Sequence, residues 1–431
     1  MARRARSLLD FPAIEPRNGR TLTCRSPAAA ADRQDVDLSA TRRALRPRRR
    51  LRAFAAAFGT IGLLAGAAAQ AHTASPGSPA ALEGRAVWIW DLRRSAGGDP
   101  EAIAAQARAA GVRSVFIKAA DGASRLSQFN APVVAALRAR GLDVCAWQYV
   151  YGRHPALEAA AAVGAVRDGA QCLIVDAEAE YEGRYWAAQR YLEDVRAALG
   201  RHYPLALASF PYVRLHPAFP YSVLLGPGGA QFDLPQMYWQ SIGASIDSVF
   251  ANTFVYNRIY RRTIVPVGEM YGSPLPSAVI RFRDLTVAYG APGISWWDWA
   301  WATDTNLWGP LSSLLTTPSH FHGPDMLWPD LREGSRGDDV LWLQEHLARA
   351  FPAQRTTGLF ARQTRANLES FQHSRGLAQT GRSDGATWSA LLALAPVEVR
   401  YRAPGDGPLD RAGLRRVRRS TRASLRPMIV G

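Results

Sequence analysis

Short apolar runs alternate with alanine-rich helical stretches from Ala86 to Ala302. This alternation is typical of βα units, which build a parallel sheet. Eight runs within about 230 residues match the size and strand count of a (β/α)8 TIM barrel, and we predict this α/β fold. A doubly wound open sheet is the alternative topology, but it would show fewer strands and a glycine-rich first turn. The turn after the first predicted strand, Leu92–Ser95, contains no glycine. The predicted strands are Ala86–Leu92, Ser114–Ala120, Leu142–Tyr151, Gln171–Glu178, Pro204–Tyr212, Phe232–Gln240, Ile264–Tyr271 and Pro292–Ala302.

A different pattern follows the barrel. A Pro/Ser/Thr-rich stretch holds a short closing helix near Leu307–Leu315 and runs on to Pro329. Beyond it, apolar residues recur at helical spacing in three short segments, which predicts a small three-helix domain. The helices begin near Gly337, Thr364 and Thr387, and the core residues are Leu343, Phe371, Leu377 and Trp388.

The N-terminal segment has the layout of an export signal. Residues 53–69 are apolar, follow arginine-rich sequence and precede Ala69-Gln70-Ala71, a small-x-small cleavage pattern. We therefore expect an extracytoplasmic protein, secreted or wall-associated, and we consider an uncleaved membrane anchor the second interpretation. The predicted domains are 1–71 (basic extension and signal peptide), 84–317 (barrel), 318–329 (linker), 330–394 (helical domain) and 395–431 (basic disordered tail).

The formal net charge of +16 lies almost entirely at the two ends of the chain. Residues 1–71 carry +9 and residues 396–431 carry +6, which leaves +1 for the sequence between them. A nearly neutral folded region argues against a basic groove, so we predict no nucleic-acid binding. A solvated, disordered end is the favoured interpretation of the basic tail, and contact with anionic polymers is the alternative.

Three cysteines bear on the compartment and on metal binding. Signal cleavage would remove Cys24 and leave Cys145 and Cys172, which fall in neighbouring predicted strands. We expect two buried thiols rather than a disulfide, because a bridge between adjacent parallel strands strains its geometry. Two cysteines without a histidine cluster give no metal signature, and no motif requires a cofactor.

Acidic, amide and aromatic residues concentrate where the predicted strands end, which is where barrel active sites lie. Strand periodicity places Asp176, Glu178 and Glu180 on one face. Crowded carboxylates cannot all ionise easily, so the pKa of one rises and that group can act as an acid near neutral pH. Glycoside hydrolysis requires such a pair, one carboxyl protonated and one charged.

Two families of glycoside hydrolases resemble these strand ends. Phe116–Gly122 and Val175–Glu178 resemble strands 2 and 4 of the family 25 lysozymes, whose Asp-x-Glu motif supplies the acid; Asp91 and Asp298 match further acids in kind. The Tyr-His-Phe of that family is here Trp147-Gln148-Tyr149. The family 18, chitinase-like barrels are similar at three other strand ends, Pro235–Tyr238, Pro266–Gly268 and Gly293–Trp297.

The two resemblances imply different acids. Family 25 implies Glu178 and family 18 implies Glu180; we expect Glu178, with Asp176 orienting it or stabilising a positive transition state. We predict that Trp88 and Trp90 face the helices and that Glu158 is solvated. The expected substrate-binding residues are Asp91, Lys118 (the only lysine of the chain), Trp147, Gln148, Tyr149, Gln236, Tyr238, Trp296 and Asp298.

The helical domain resembles the peptidoglycan-binding domain 1 family over its whole length. The matching pattern is Gly334, Gly337, Val340, Leu343-Gln344, Leu347, Gly358-x-Phe360, Thr364, Phe371-Gln372, Gly376-Leu377, Gly381 and Thr387-Trp388. Thr357 and Ala361 depart from it, in a loop. The resemblance implies peptidoglycan as the partner and makes wall polymers the candidate contact of the basic tail.

Together these observations predict an exported, monomeric peptidoglycan-binding protein whose barrel is a cell-wall glycoside hydrolase of lysozyme or muramidase type. We expect it to cleave an N-acetylated glycan by carboxylate acid catalysis. The alternative is a non-catalytic wall-binding protein whose barrel is a degenerate glycosidase.

Overall fold

The computed structural model describes residues 77–313 and 327–408. The strands are β1 Gly84–Ile89, β2 Ser114–Asp121, β3 Ser124–Arg125, β4 Asp143–Val150, β5 Cys172–Ala177, β6 Leu205–Ser209, β7 Phe232–Pro235, β8 Thr263–Ile264, β9 Val267–Glu269 and β10 Gly293–Trp297. The barrel helices are α1 Pro100–Ala109, α2 Ala131–Ala139, α3 Pro155–Arg167, α4 Tyr185–Leu199, α5 Tyr221–Leu224, α6 Trp239–Ile242, α7 Ile246–Asn257, α8 Pro276–Ala288, α9 Trp299–Asp304 and α10 Trp308–Ser312. The C-terminal helices are α11 Asp338–Leu347, α12 Arg362–Ser374 and α13 Gly385–Leu392.

The main sheet is parallel and curls into a barrel. Its order is β8-β7-β6-β5-β4-β2-β1-β10-β9, and β3 forms a short hairpin with β2. β8 and β9 flank Pro266 and together form one strand of the barrel, which pairs with β7 on one side and β10 on the other. A bridge between Gln236 and Val267 joins the two ends of the sheet. The predicted (β/α)8 barrel is confirmed.

Large aromatic rings fill the interior of the barrel. The ring of Trp88 contacts those of Phe116, Trp147 and Trp297 at centroid distances of 5.4–5.6 Å. The prediction that Trp88 faces the helices is therefore wrong. Trp296 instead points outward and packs on Phe282. Barrel strands are buried on both faces, so their sequence shows no polar alternation that would reveal which side chains point inward.

A disulfide joins Cys145 and Cys172, and the expectation of two free thiols is corrected. The register of the parallel pair β4–β5 places the two residues directly opposite each other. Both point into the barrel interior with Trp88 and Trp147. Their Cα atoms are 4.7 Å apart, within the range that disulfides span.

The C-terminal domain consists of α11, α12 and α13 packed around Leu343, Phe371 and Trp388, and the predicted small helical domain is confirmed. Two buried glutamines hold its loops. Gln344 accepts hydrogen bonds from the backbone N–H groups of residues 357 and 358 and donates to the backbone carbonyl of residue 359. Gln372 does the same for the loop at residues 381–382. These motif residues are therefore structural.

The C-terminal domain packs tightly on the barrel. Every residue of α11 is buried, because one face covers its own domain and the other contacts α4, α5 and the segment after α7. Trp342 Nε1 donates to the Ile259 carbonyl (2.9 Å), and Arg261 donates to the Leu392 carbonyl (2.8 Å). Part of the predicted disordered tail is instead packed on the folded domains: Val397 N donates to the Glu345 carbonyl of α11, and Tyr401 is buried against Tyr185 of α4.

Several predictions fall on residues outside the described ranges: the signal peptide and basic extension, Cys24, residues 318–326 of the linker, and residues 409–431 of the tail. Within the described ranges, no helix is both long enough and apolar enough to cross a bilayer.

Candidate functional site

Asp176 and Glu178 lie together where β5 ends at the C-terminal side of the barrel. The Gln236 side chain, which follows β7, donates from Nε2 to Asp176 Oδ1 (2.9 Å) and to Glu178 Oε1 (3.2 Å). One amide nitrogen thus holds two carboxyls no more than about 6 Å apart. Each of these two carboxylates is 2% exposed, so the pair is held inside the barrel mouth rather than on its rim.

The surroundings of Asp176 favour its protonated form. Burial raises the pKa of Asp176 to about 7, opposed by the charge of Lys118 and supported by the charges of Asp121 and Glu180. The Gln236 hydrogen bond lowers the pKa but does not offset burial. Near neutral pH the Asp176 carboxyl is therefore protonated for part of the time.

Lys118 lies in the last half of β2, is 3% exposed, and interacts electrostatically with Asp176. Its Nζ donates to Asp121 Oδ2 at 2.6 Å and lies 5.2 Å and 5.1 Å from the ring centres of Trp90 and Trp147. Asp121 also accepts from the Tyr151 hydroxyl at 2.8 Å. Aromatic faces and a carboxylate thus stabilise the buried ammonium group.

Glu180 occupies the rim of the site. It is half-buried beyond the end of β5, and it accepts a hydrogen bond from Tyr149 Oη at 2.8 Å. Tyr149 and Tyr238 both point into the barrel with Trp147, and burial raises the pKa of each phenol. The structure therefore brings together eight predicted residues: Asp176, Glu178, Glu180, Lys118, Trp147, Tyr149, Gln236 and Tyr238.

Four predicted substrate-binding residues have other roles in the fold. Trp296 is wholly buried among helices, and Gly268 lies against it, since a Cβ there would come 2.4 Å from the Trp296 ring. Gln148 also points outward, donating to the carbonyls of Gly122 and Glu158. Both assignments to a substrate site are wrong, because the two side chains alternate to the helix side of their strands.

Asp91 and Asp298 lie at the correct end of the barrel but cap helical turns. Asp91 accepts from the backbone N–H of Arg93 (2.9 Å), and Asp298 accepts from that of Trp301 (3.1 Å). Burial raises the pKa of Asp298 to about 6. Trp90, predicted to face the helices, points instead into the barrel mouth beside Trp297.

Sequence reasoning missed three site residues: Asp121, Tyr151 and Glu269. Glu269 ends β9 fully buried, accepts hydrogen bonds from the Gln240 backbone N–H and the Ser241 hydroxyl, and has a pKa raised by burial to about 7. The sequence signal that could have identified Glu269 is that it is the one acidic residue near the end of its predicted strand. Asp121 is likewise the last residue of β2, and Tyr151 directly follows β4.

Glu158, predicted to be solvated, is a buried anchor for one loop of the site. Its carboxylate accepts four backbone N–H bonds, from Tyr151, Gly152, Arg153 and His154. These hydrogen bonds to Glu158 hold the loop that carries Tyr151 in place. The prediction was wrong because these four partners depend on the tight turn at Gly152, where φ is +62°.

The arrangement can donate a proton and stabilise a developing positive charge beside aromatic rings at the barrel mouth. Asp176 and Glu178 supply the proton and the negative charge, and the partly exposed ring of Trp90, which packs beside Trp297, supplies a face for a pyranose. Within residues 77–313 and 327–408, no group of three or more His, Cys, Asp or Glu side chains is arranged to hold a metal ion.

Comparisons with known proteins agree with the C-terminal assignment. Residues 336–391 match the family model described as "Putative peptidoglycan binding domain", so the chain carries a domain of this family. A search of curated protein sequences finds no match.

Solved structures similar to the chain include three barrels. The catalytic domain of a hyperthermophilic chitinase from Pyrococcus furiosus has a TM-score of 0.39 and 12% identity, covering 56% of this chain and 99% of that one. An endo-β-1,4-mannanase from Thermotoga petrophila has a TM-score of 0.38 and 9% identity, and the match covers 50% of this chain and 68% of that one. A dihydrodipicolinate synthase from Rhodopseudomonas palustris has a TM-score of 0.33 and 11% identity, and the match covers 55% of this chain and 81% of that one.

Proposed function

We propose that this protein is a cell-wall glycoside hydrolase that cleaves an N-acetylated glycan of peptidoglycan outside the cytoplasm. The carrying observation is the carboxyl pair Asp176–Glu178, held by one amide nitrogen of Gln236 at the C-terminal end of a (β/α)8 barrel. The peptidoglycan-binding domain at residues 336–391 supports the choice of glycan.

Glu178 is the general acid in this proposal, because it lies one residue beyond the end of β5, whereas Asp176 lies within the strand. It protonates the glycosidic oxygen as the bond to the sugar breaks. Asp176, whose raised pKa lets it exist in both forms near neutral pH, stabilises the positive charge on the sugar ring when it is ionised or orients an acetamido group when it is protonated. Gln236 keeps both carboxyls in place, and the buried Tyr238 phenol lies beside them.

The lysozyme or muramidase specificity remains part of this proposal, as do secretion and the monomeric state. Export follows from the predicted signal sequence and fits both the disulfide between Cys145 and Cys172 and a wall-binding domain. Disulfides persist in oxidising compartments outside the cytoplasm.

Zymography on purified sacculi tests the proposal, with wild type and single variants compared on the same gels. We expect clearing by wild type and a loss of about 100-fold or more in Glu178→Gln, because a general acid contributes that much. Glu180→Gln should keep most activity, and Glu101→Gln, on an exposed helical face, serves as the matched control. Full activity in Glu178→Gln together with loss in Glu180→Gln would reassign the acid.

A non-catalytic wall-binding protein is the second candidate. It is favoured by the 2% exposure of both Asp176 and Glu178, which leaves little carboxylate surface for a substrate to reach. Sedimentation with sacculi, without clearing of several kinds of wall, would support this function and reject the hydrolase.

A further inference from the structure

A cavity of about 220 Å³ lies between the barrel and the C-terminal domain, away from the barrel mouth. Its walls come from α4, the residues of and after α5, α11, and the segment 397–401. The volume corresponds to that of roughly seven liquid waters, which is enough for a small organic group. None of the proposed catalytic residues lines it.

The cavity is acidic. Glu193, Glu345 and Glu398 line it, and Glu345 is the deepest, at 5% exposure. The backbone carbonyl of Glu345 accepts a hydrogen bond from Val397 N, which holds this residue against the segment that closes the cavity. Burial and the nearby charge of Asp338 raise the pKa of Glu345 well above its usual range. A positive charge in the cavity would offset that cost.

A second polar group points to the same occupant. The hydroxyl of Tyr401 is buried without a hydrogen-bond partner among residues 77–313 and 327–408, and the residue is 8% exposed. It lines the cavity and interacts electrostatically with Glu345. A buried hydroxyl without a partner is costly unless a ligand supplies a hydrogen-bond donor or acceptor.

The remaining walls suit an aliphatic chain. Leu192, Val223 and Val399 provide apolar surface. The one cationic side chain in the lining is Arg196, and its guanidinium donates five hydrogen bonds elsewhere, four to backbone carbonyls and one to Gln231. Because Arg196 is committed to these partners, it does not neutralise Glu345.

We propose that this cavity binds an alkylammonium group, with its ammonium at Glu345 and Tyr401 and its carbon chain against Leu192, Val223 and Val399. The site goes beyond the proposed hydrolase and does not require it. In a wall-binding protein, the natural source is a free side-chain amine of a peptidoglycan peptide. A free amine in solution shares the same chemistry.

Titration calorimetry of the full chain tests the site, with n-butylammonium chloride as the probe and 1-butanol as its neutral counterpart. We expect saturable one-to-one binding of butylammonium at millimolar concentration and none of 1-butanol. Glu345→Gln should weaken binding at least tenfold, and Tyr401→Phe severalfold. Glu369→Gln, on α12, is the matched control and should bind as wild type does.

Other measurements separate the alternatives. Glu178→Gln should bind butylammonium normally, so failure of the hydrolase proposal leaves this test intact. A wall peptide with a free side-chain amine should compete with butylammonium, and its N-acetylated form should not. If neither peptide competes, the natural ligand is a free amine in solution rather than a wall peptide. Absence of saturable butylammonium binding, or preferential binding of N-acetylglucosamine that Glu345→Gln abolishes, would overturn the proposal. Should Glu345→Gln fail to fold, Tyr401→Phe decides.

Discussion

Replacing Asp338 with alanine tests whether the barrel and the C-terminal domain form one folding unit. Asp338 begins α11, yet its carboxylate accepts four hydrogen bonds, all from the barrel. The donors are Tyr185 Oη (3.0 Å), Ser222 N (2.7 Å), Ser222 Oγ (2.8 Å) and Tyr260 Oη (2.7 Å). In Asp338→Ala, these buried donors lose their common acceptor.

The expected loss follows from two opposing contributions. Each buried donor left without a partner costs about 1–3 kcal/mol, which favours a large effect. Burial also raises the pKa of Asp338 to about 7, so the native carboxyl is itself costly to bury and its removal recovers part of the loss. We therefore expect about 3–5 kcal/mol of lost stability, or a fall in Tm of about 6–12 °C for a chain of this size.

Differential scanning calorimetry on the full chain measures this loss. Asp384→Ala is the matched control, because Asp384 is an exposed N-cap with a single backbone partner, Thr387 N, whose loss costs about 1 kcal/mol. We expect wild type to unfold in one transition and Asp338→Ala to unfold earlier, with a separate transition for the undocked domain. A Tm decrease no larger than that of Asp384→Ala would refute the single-unit interpretation.

Three further predictions concern stability. Burial raises the pKa of Asp233 to about 7, so the folded state holds an extra proton below that pH and stability is lost as pH rises through 7. Burial lowers the pKa of His346 to about 4, so this residue has the opposite effect on stability, but only below about pH 6.5. Tm should therefore be higher at pH 6.5 than at pH 8.5. The reverse order would contradict a raised pKa of Asp233. Joint replacement of Cys145 and Cys172 by serine opens a covalent loop with a separation of 27 residues and should cost about 3 kcal/mol in urea unfolding, whereas an unchanged midpoint would argue against the bond. Glu158→Ala should cost about 3 kcal/mol and speed amide hydrogen exchange at residues 151–154, and unchanged exchange there would contradict its anchoring role.

The barrel was predictable because eight apolar runs at regular spacing leave few alternative topologies. The carboxyl pair was predictable because Asp176 and Glu178 lie two residues apart at a strand end, where periodicity alone puts them on one face. Both inferences depend on local sequence, and the hydrogen bonds from Gln236 to Asp176 and Glu178 agree with the second.

The errors share a different origin. We predicted that Trp88 faces the helices and Trp296 the barrel interior, and the structure shows the reverse. Both faces of their strands are apolar, so the sequence does not indicate which side chains point inward. The disulfide depends on register, since only the pairing of β4 with β5 brings Cys145 opposite Cys172. Non-local geometry of this kind is absent from any short stretch of sequence.

The docking of the C-terminal domain changes how wall binding would assist the barrel. A flexible tether raises local concentration but leaves the orientation of the barrel free. Here the Asp338 N–H donates to the carbonyl of Pro217 (2.8 Å), in the loop that leaves β6 at the same end of the barrel as Asp176 and Glu178. A glycan held by the docked domain would therefore meet the barrel mouth at a fixed distance and angle. Under the proposed function, undocking by Asp338→Ala should lower hydrolysis of intact sacculi more than hydrolysis of short soluble fragments, because only the polymer can engage both domains at once.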